Sequence, residues 1–414
     1  MSAPAQSNAA AQIAALRSAA AVRERCAIVH DFVARGHSSY FTLDEARLTD
    51  VAEYVAQVTR EAYPDLDIPY HSRWRHFSAG GIDRWRELAA SVRMHRIERA
   101  RMAVDLVTVS VLLDAGAGDV WRYRESATGL SLTRSEGLAV ASLDMFRAGA
   151  FSSAPDWPCR VDDAALAEID AAKLARYFQV DAANPLLGLE GRGALLCRLA
   201  RALAERGDLF GCGPARPGNL VDYFASIAEG EAVPAATVLA TLLESLAGIW
   251  PSALTLHGVA LGDAGRHRAL RNGDATDGIV PFHKLSQWLA YSLIEPLADA
   301  GLAIEGIDAF TALPEYRNGG LLIDLGAICL RPGIDPQHRY EVDSELVVEW
   351  RALTITLMDR LLPRVREKLG LRASFTLPHM LQGGTWSAGR KIARALRPPD
   401  GPPPLLVAAD GTVF

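Results

Sequence analysis

The chain has 414 residues, about half of them hydrophobic, with 49 acidic and 43 basic side chains and a net charge of -6. That length supplies core for two or three structural units. The acidic balance, with no long basic stripe, argues against nucleic acid or an anionic membrane surface as the partner, and no apolar run is long enough to span a bilayer.

Apolar residues Ile13, Leu16, Ala20, Ile28 and Phe32 recur near helical spacing and predict a helix over 10–36, stopped at Gly36. The opening MSAPAQSNAAAQIA lacks the basic flank and apolar stretch of a secretion signal. Thr42, with Glu45 three positions on, reads as a capping box for a helix over 43–61. Pro64 and Pro69 then force an irregular stretch that carries HSRWRH at 71–76. A long helix is predicted over 83–114, broken by the glycines of DAGAG at 114–118. Ser135 is positioned to cap a helix across 135–146, and further helices are predicted at 162–178 and 188–207.

The turn-rich FGCGPARPG at 210–218 divides the chain into an N-terminal helical region, 1–210, and a C-terminal helical region, 211–414. Helices are predicted again at 219–229 and 236–248. LTLHGVALG at 254–262 alternates like a short hairpin. The last helices are expected at 282–295, ended by Pro296, then at 343–368 and 383–396. The proline-rich tail from Pro402 reads as a loop with one terminal strand. The fold class is mainly α with minor β elements. The five cysteines, Cys26, Cys159, Cys197, Cys212 and Cys329, form no CxxC pair and no zinc spacing, so reduced thiols and a cytoplasmic location are expected.

Three segments place charges where a core wants none: PFHKLSQWLAYSLIEP at 281–296, LPEYRNGGLLIDLG at 313–326 and SELVVEWRALT at 344–354. Such charges must be paired or must line a ligand site. On the first segment, Leu285, Trp288 and Leu289 form one stripe, and Lys284, Gln287 and Tyr291 another. Lys284 and His283 are therefore candidates for substrate contact, with a snorkelling lysine as the plainer reading. In the second, Glu315 follows Pro314 at a bend, beside Tyr316 and Arg317. Asp324 lies among apolar residues and reads either as a site acid or as one half of an ion pair. In the third, Glu345 and Glu349 share a helical face, and Arg351 lies two beyond Glu349.

The N-terminal half adds His71 and Arg75 as a clamp for an anion or a planar group. Asp114, Trp121 and Glu136 lie around glycines that permit close backbone approach. No GxSxG, HExxH, Walker A or CxxC signature is present, and the histidines have no compact metal spacing.

DLDIPYHSRWRHF at 65–77, LLDAGAG at 112–118, SEGLAVASLDMF at 135–146, NPLLGLEGR at 184–192, VPFHKLSQWLAYSL at 280–293, LPEYRNGG at 313–320 and the terminal DGTVF together resemble the DUF1688 family of uracil-catabolism proteins, over nearly the whole chain. That resemblance implies a part in uracil breakdown outside the reductive route, through a ribosylurea-like intermediate. The C-terminal half is also similar to queuosine salvage N-glycosidases. Phe282, Lys284 and Gln287 match one of their motifs. Glu315, Tyr316 and Arg317 match a second, with glutamate where that family usually has aspartate. Glu349, Arg351, Ala352 and Thr354 match a third.

This second resemblance implies a helical N-glycosidase-like fold related to helix-hairpin-helix DNA glycosylases. It also implies hydrolysis of a ribosyl N-glycosidic bond; taken with the charge placement above, Glu315, Lys284 and Asp324 are the expected catalytic residues. His283, Trp288, Tyr316, Arg317, Glu349, Arg351, Asp114, Trp121, Glu136, His71 and Arg75 would then bind substrate. No cofactor and no metal are called for. The expected partner is a small ribosyl compound, not nucleic acid or membrane, and the expected protein is a monomer or homodimer. The rival readings are a urea or amide hydrolase of the same pathway and a non-catalytic binding or scaffold protein.

Overall fold

The computed structural model describes residues 3–251 and 254–408. The protein is mainly α-helical, with short two-stranded β elements. It comprises two compact units. Unit 1 takes in the chain up to His71, residues 254–287 and Ile307–Ala408; unit 2 combines Ser72–Pro251 and Trp288–Gly306. Both flanks of the turn-rich stretch at 210–218 lie in unit 2. The terminal DGTVF lies outside the described residues. Among the described residues no helix is long and apolar enough to cross a membrane.

Unit 1 is organised on the helix Glu345–Leu369, against which Ala19–Ala34 and Leu48–Ala62 pack. Val22, Cys26 and Val29 meet Val348, Ala352 and Ile355 in one enclosed cluster with Val280 and Phe282. Full burial of such side chains contributes roughly 1.5–3 kcal/mol for each large one. Close approach depends on glycine at two points. A Cβ on Gly265 would lie 2.3 Å from Val348, and one on Gly319 would lie 2.7 Å from both Thr354 Oγ1 and Trp350 Nε1. Phe41–Leu43 pairs antiparallel with Ile328–Leu330, and Ala264–Arg266 pairs antiparallel with Ile279–Pro281. Arg339–Glu341 pairs in parallel with Leu406–Ala408, the terminal strand expected from the sequence. The hairpin expected at 254–262 forms between Thr255–Leu256 and Val259–Ala260.

Unit 2 is built around Arg96–Leu112, whose residues from Met102 to Leu112 are all buried. It packs against Arg134–Arg147, Leu189–Glu205 and Leu220–Ile227. Asp105 sits inside this helix at no exposure. Its carboxylate accepts from Arg216 Nε at 3.0 Å and from the backbone amide of Gly218 at 2.6 Å, so the enclosed charge is paired.

Several helix limits differ from the sequence expectation, each for a local reason. The first predicted helix is two, Ala3–Leu16 and Ala19–Ala34, because Ser18 turns extended and caps the second through Ala21 N–H. The helix expected over 83–114 is also two, Arg84–Ser91 and Arg96–Leu112. Ser91 Oγ bonds back to the Leu88 carbonyl, and Val92 is extended. The predicted capping box at Thr42 is replaced by Asp44, which caps a short 3-10 turn ahead of Leu48–Ala62. Arg134–Arg147 begins after Thr133 with no side-chain cap, so Ser135 does not serve as one. Pro296 does not end its helix, which runs Lys284–Ala300. Proline removes the amide that would bond the Ser292 carbonyl, and Trp74 Nε1 donates to that carbonyl at 2.8 Å instead.

Candidate active site

Unit 1 gathers a polar centre where the strand Ile279–Pro281 gives way to the helix Lys284–Ala300. Asp263, just before the strand Ala264–Arg266, binds that junction through its backbone and its side chain. Its carbonyl accepts from the amides of Phe282 and His283 at 2.9 and 3.1 Å. Its carboxylate accepts from the Lys284 amide at 2.9 Å, which places a negative charge at the positive end of the helix. Arg351 closes on the same carboxylate with two bonds of 2.8 Å, and its guanidinium carbon lies 4.0 Å above the Phe282 ring. Burial works to raise the Asp263 pKa, but Arg351, the Lys284 amide and the Lys284 charge outweigh it and hold the carboxyl below its ordinary value.

His283 completes the junction with a φ of +52°, an uncommon conformation for a residue with a side chain. It is buried, and its Nε2 lies 3.0 Å from the Leu16 carbonyl, so Nε2 carries the proton and donates. Burial lowers its pKa, which keeps the ring neutral at pH 7. This makes His283 a structural donor in the resting protein.

Glu315 is carried to the same centre by a second connection. Gln287, one turn into the helix, donates Nε2 to Thr311 Oγ1 and accepts from the Thr311 amide at 2.7 Å. Thr311 lies four residues before Glu315. Glu315 is the N-cap of Tyr316–Asp324, and its two carboxylate oxygens accept from the amides of Arg317 and Asn318 at 2.8 and 2.7 Å. The residue is half-buried. Burial pushes its pKa up. The two amides, Arg317 and Lys284 pull it back only in part, so it stays above the ordinary glutamate value. Lys284 therefore acts electrostatically on two carboxylates, Asp263 and Glu315, and favours the ionised form of each.

The other candidates fall into separate settings. Tyr316 is half-buried, with the Arg317 guanidinium 4.8 Å from its ring; Arg317 itself is buried and reaches the Gly401 carbonyl. Asp324 is held by Arg397 through bonds of 2.8 and 2.6 Å. Glu349 is fully enclosed between Ser38, which donates to Oε1, and His267, whose Nε2 lies 2.8 Å from Oε2. The Ala269 amide donates to His267 Nδ1, which fixes the proton on Nε2. His71 pairs with Gln382 Oε1 at 3.0 Å, where the π-turn Leu381–Thr385 leads into Trp386–Leu396.

In unit 2, Trp121 is a core residue that donates to the Phe178 carbonyl at 2.9 Å. Arg75 pairs with Glu295, and Trp288 is buried beside His76 with ring centres 5.9 Å apart. Asp114 is bound by Arg73 at 2.9 Å, and Glu136 also acts on Arg73 electrostatically.

Sequence reasoning passed over Asp263 and Arg73, the residues that organise these two centres. Asp263 stands beside a glycine at the edge of a short strand, where no periodicity marks it. Arg73 was covered by its motif, but nothing in the string HSRWRH distinguishes a fully enclosed arginine from its neighbours.

The DUF1688 family model, described as a protein of unknown function, matches residues 15–414. The chain belongs to the DUF1688 family. A relative from Schizosaccharomyces pombe (strain 972 / ATCC 24843), named Protein urg3, is 39% identical over 383 residues, covering 90% of this chain and 92% of its own. A second, named Uracil catabolism protein 4, comes from Lachancea kluyveri. It is 36% identical over 432 residues, covering 96% of this chain and 98% of its own.

Proposed function

We propose that the protein hydrolyses the ribosyl N-glycosidic bond of ribosylurea, or of a phosphorylated relative, in uracil catabolism. A helical fold related to helix-hairpin-helix glycosylases would carry that chemistry. The observation that supports this reading best is Glu315: a half-buried carboxylate fixed by two backbone amides, raised in pKa by burial and acted on by the charge of Lys284. The family relatives named above support the pathway.

In this reading the bond between ribose C1 and the urea nitrogen breaks as positive charge develops on the ribose ring. The Glu315 carboxylate stabilises that charge and orients a water molecule, whose oxygen bonds to C1. The water proton passes through Glu315 to the departing nitrogen, giving ribose and urea. A raised pKa suits this work, because it makes the carboxylate a stronger base near neutrality. Lys284 keeps Glu315 ionised. Asp263 and Arg351 fix the first turn of the helix that carries Lys284, and Gln287 fixes the segment that carries Glu315.

The test is to incubate the purified protein with synthetic ribosylurea and identify every product. Ribose and urea in equal amounts support the reading. Ammonia and carbon dioxide would assign attack on the ureide carbonyl instead, and saturable binding with no product would make the protein a binding module.

A further inference from the structure

We infer that Arg23, oriented by Asp359, is a positioning residue for the reaction, because it fixes the buried connection that delivers Glu315 to the site. This rests on the reading of Glu315 as the reacting acid. It adds a pair of residues that stands outside the arrangement of Asp263, Lys284 and Gln287.

The segment from Phe310 to Pro314 is buried and belongs to no helix or strand. Enclosed backbone of this kind must find hydrogen-bond partners outside a regular ladder, because an unpaired enclosed carbonyl or amide is costly. Side chains supply such partners here. The Thr311 amide is taken by Gln287 at 2.7 Å, and the Leu313 carbonyl by Asn318 Nδ2 at 3.1 Å. The carbonyls of Ala309 and Phe310 are taken by Arg23, whose Nη1 donates to the first at 2.8 Å and whose Nη2 donates to the second.

The direction of Arg23 is itself set. Its Nε donates to Asp359 Oδ2 at 2.9 Å, so the planar guanidinium presents both Nη groups as a fork to two consecutive carbonyls. Arg23 lies on Ala19–Ala34 and Asp359 on Glu345–Leu369, the two helices packed together in unit 1. The Phe310 carbonyl and the Thr311 amide belong to one peptide unit. Arg23 grips that planar unit at one polar end and Gln287 at the other, from separate helices, so it cannot rotate without breaking a bond.

Glu315 is thus fixed from both directions along the chain. The amides of Arg317 and Asn318 hold it on the far side, and the clamped peptide four residues before it holds the near side. A reacting group displaced by a fraction of its bond length to the substrate loses rate before it loses binding. The side chains of Arg23 and Asp359 each keep about a third of their surface in water (32% and 31%). Replacing Arg23 therefore seals no charge in the core, and water can reach the two carbonyls. What is lost is the direction of the peptide.

The experiment compares full-length wild type, Arg23→Met and Arg23→Lys by steady-state ribose release from ribosylurea and by amide hydrogen exchange. Arg23→Met should lower kcat roughly 10–100-fold, the scale of a displacement of about 1 Å, with KM within about twofold of wild type. The amides of Thr311, Arg317 and Asn318 should exchange at least about tenfold faster, while those of Glu345–Leu369 keep their protection. Arg23→Lys keeps the charge but offers one nitrogen in place of a fork, so it should recover only part of the rate. A kcat per folded molecule equal to wild type in Arg23→Met, or in Arg23→Lys where that is the variant that folds, would overturn the inference. Exchange that rises evenly across unit 1 would also overturn it, because the role would then be purely structural. If wild type releases no ribose, the proposed hydrolysis fails separately. Exchange then decides the positioning: faster exchange at Arg317 and Asn318 in the Arg23 variant supports it, and unchanged exchange overturns it.

Discussion

Glu315 and Glu349 lie in the same unit, within motifs that look equally functional, yet the protein treats them in opposite ways. Glu349 is wholly enclosed, and both its oxygens are taken by side-chain donors, Ser38 and His267. Its partners come from two distant parts of the chain, so it ties unit 1 together. Glu315 is half-buried and held by backbone amides at a helix start, with the Lys284 charge acting on it. Backbone amides fix the carboxylate without neutralising it, because each donates one hydrogen bond and carries no net charge. A glutamate saturated by buried partners stabilises a fold. The one held by amides is the acid we propose for the chemistry.

That contrast breaks first at Glu349. Glu349→Ala should destabilise unit 1 by about 3–5 kcal/mol, since it strands two enclosed donors and leaves a cavity. Denaturant unfolding measures this, and a loss under about 1 kcal/mol would remove the distinction. Lys284→Met comes next. Removing its charge should cut turnover roughly 10²-fold, the scale of one electrostatic contact at a reacting centre.

The same variant sharpens the pH dependence. In the proposed reaction Glu315 acts ionised, and its pKa is already above the ordinary glutamate value. Activity should therefore fall as pH drops through that raised pKa, and the acid limb of the rate profile should move to higher pH in Lys284→Met. Stability runs the other way. A carboxyl whose folded pKa is raised contributes stability that is full below its unfolded pKa and lost as pH rises through the folded one. Thermal melts of Glu315→Gln should lack that loss.

Gly319→Ala should cost about 1–3 kcal/mol, because its Cβ would crowd Trp350 and Thr354 within 2.7 Å. A melting temperature equal to wild type would show that the helix Tyr316–Asp324 gives way freely. The smallest effect is expected at Asp324. The Asp324 side chain is enclosed, but Arg397 keeps contact with water, so Asp324→Asn should lose about 1–2 kcal/mol and keep turnover. A large loss of turnover would return Asp324 to the chemistry.

Much of the helical architecture was legible because periodicity reports burial directly: Leu189–Glu205, Ala235–Leu246 and Glu345–Leu369 fall close to their expected limits. Breaks that depend on one side chain were not. Ser18 and Ser91 end or restart helices through bonds to nearby backbone, and either residue would also be tolerated inside a helix. Pro296 misled because the indole that satisfies the buried Ser292 carbonyl comes from Trp74, more than two hundred residues earlier in the chain. Within the site, the segment 281–296 showed a lysine in apolar surroundings. The string could not show that Asp263 lies against that lysine's own amide. The interleaving of chain segments into the two units was equally invisible, since each long-range contact depends on partners the local pattern does not name.

The measurement that bears most directly on the account is release of ribose from ribosylurea by wild type and by Glu315→Gln, with substrate affinity measured alongside. The account predicts that the variant folds, still binds, and releases ribose about 10²–10⁴ times more slowly. Equal rates from the two proteins would contradict it.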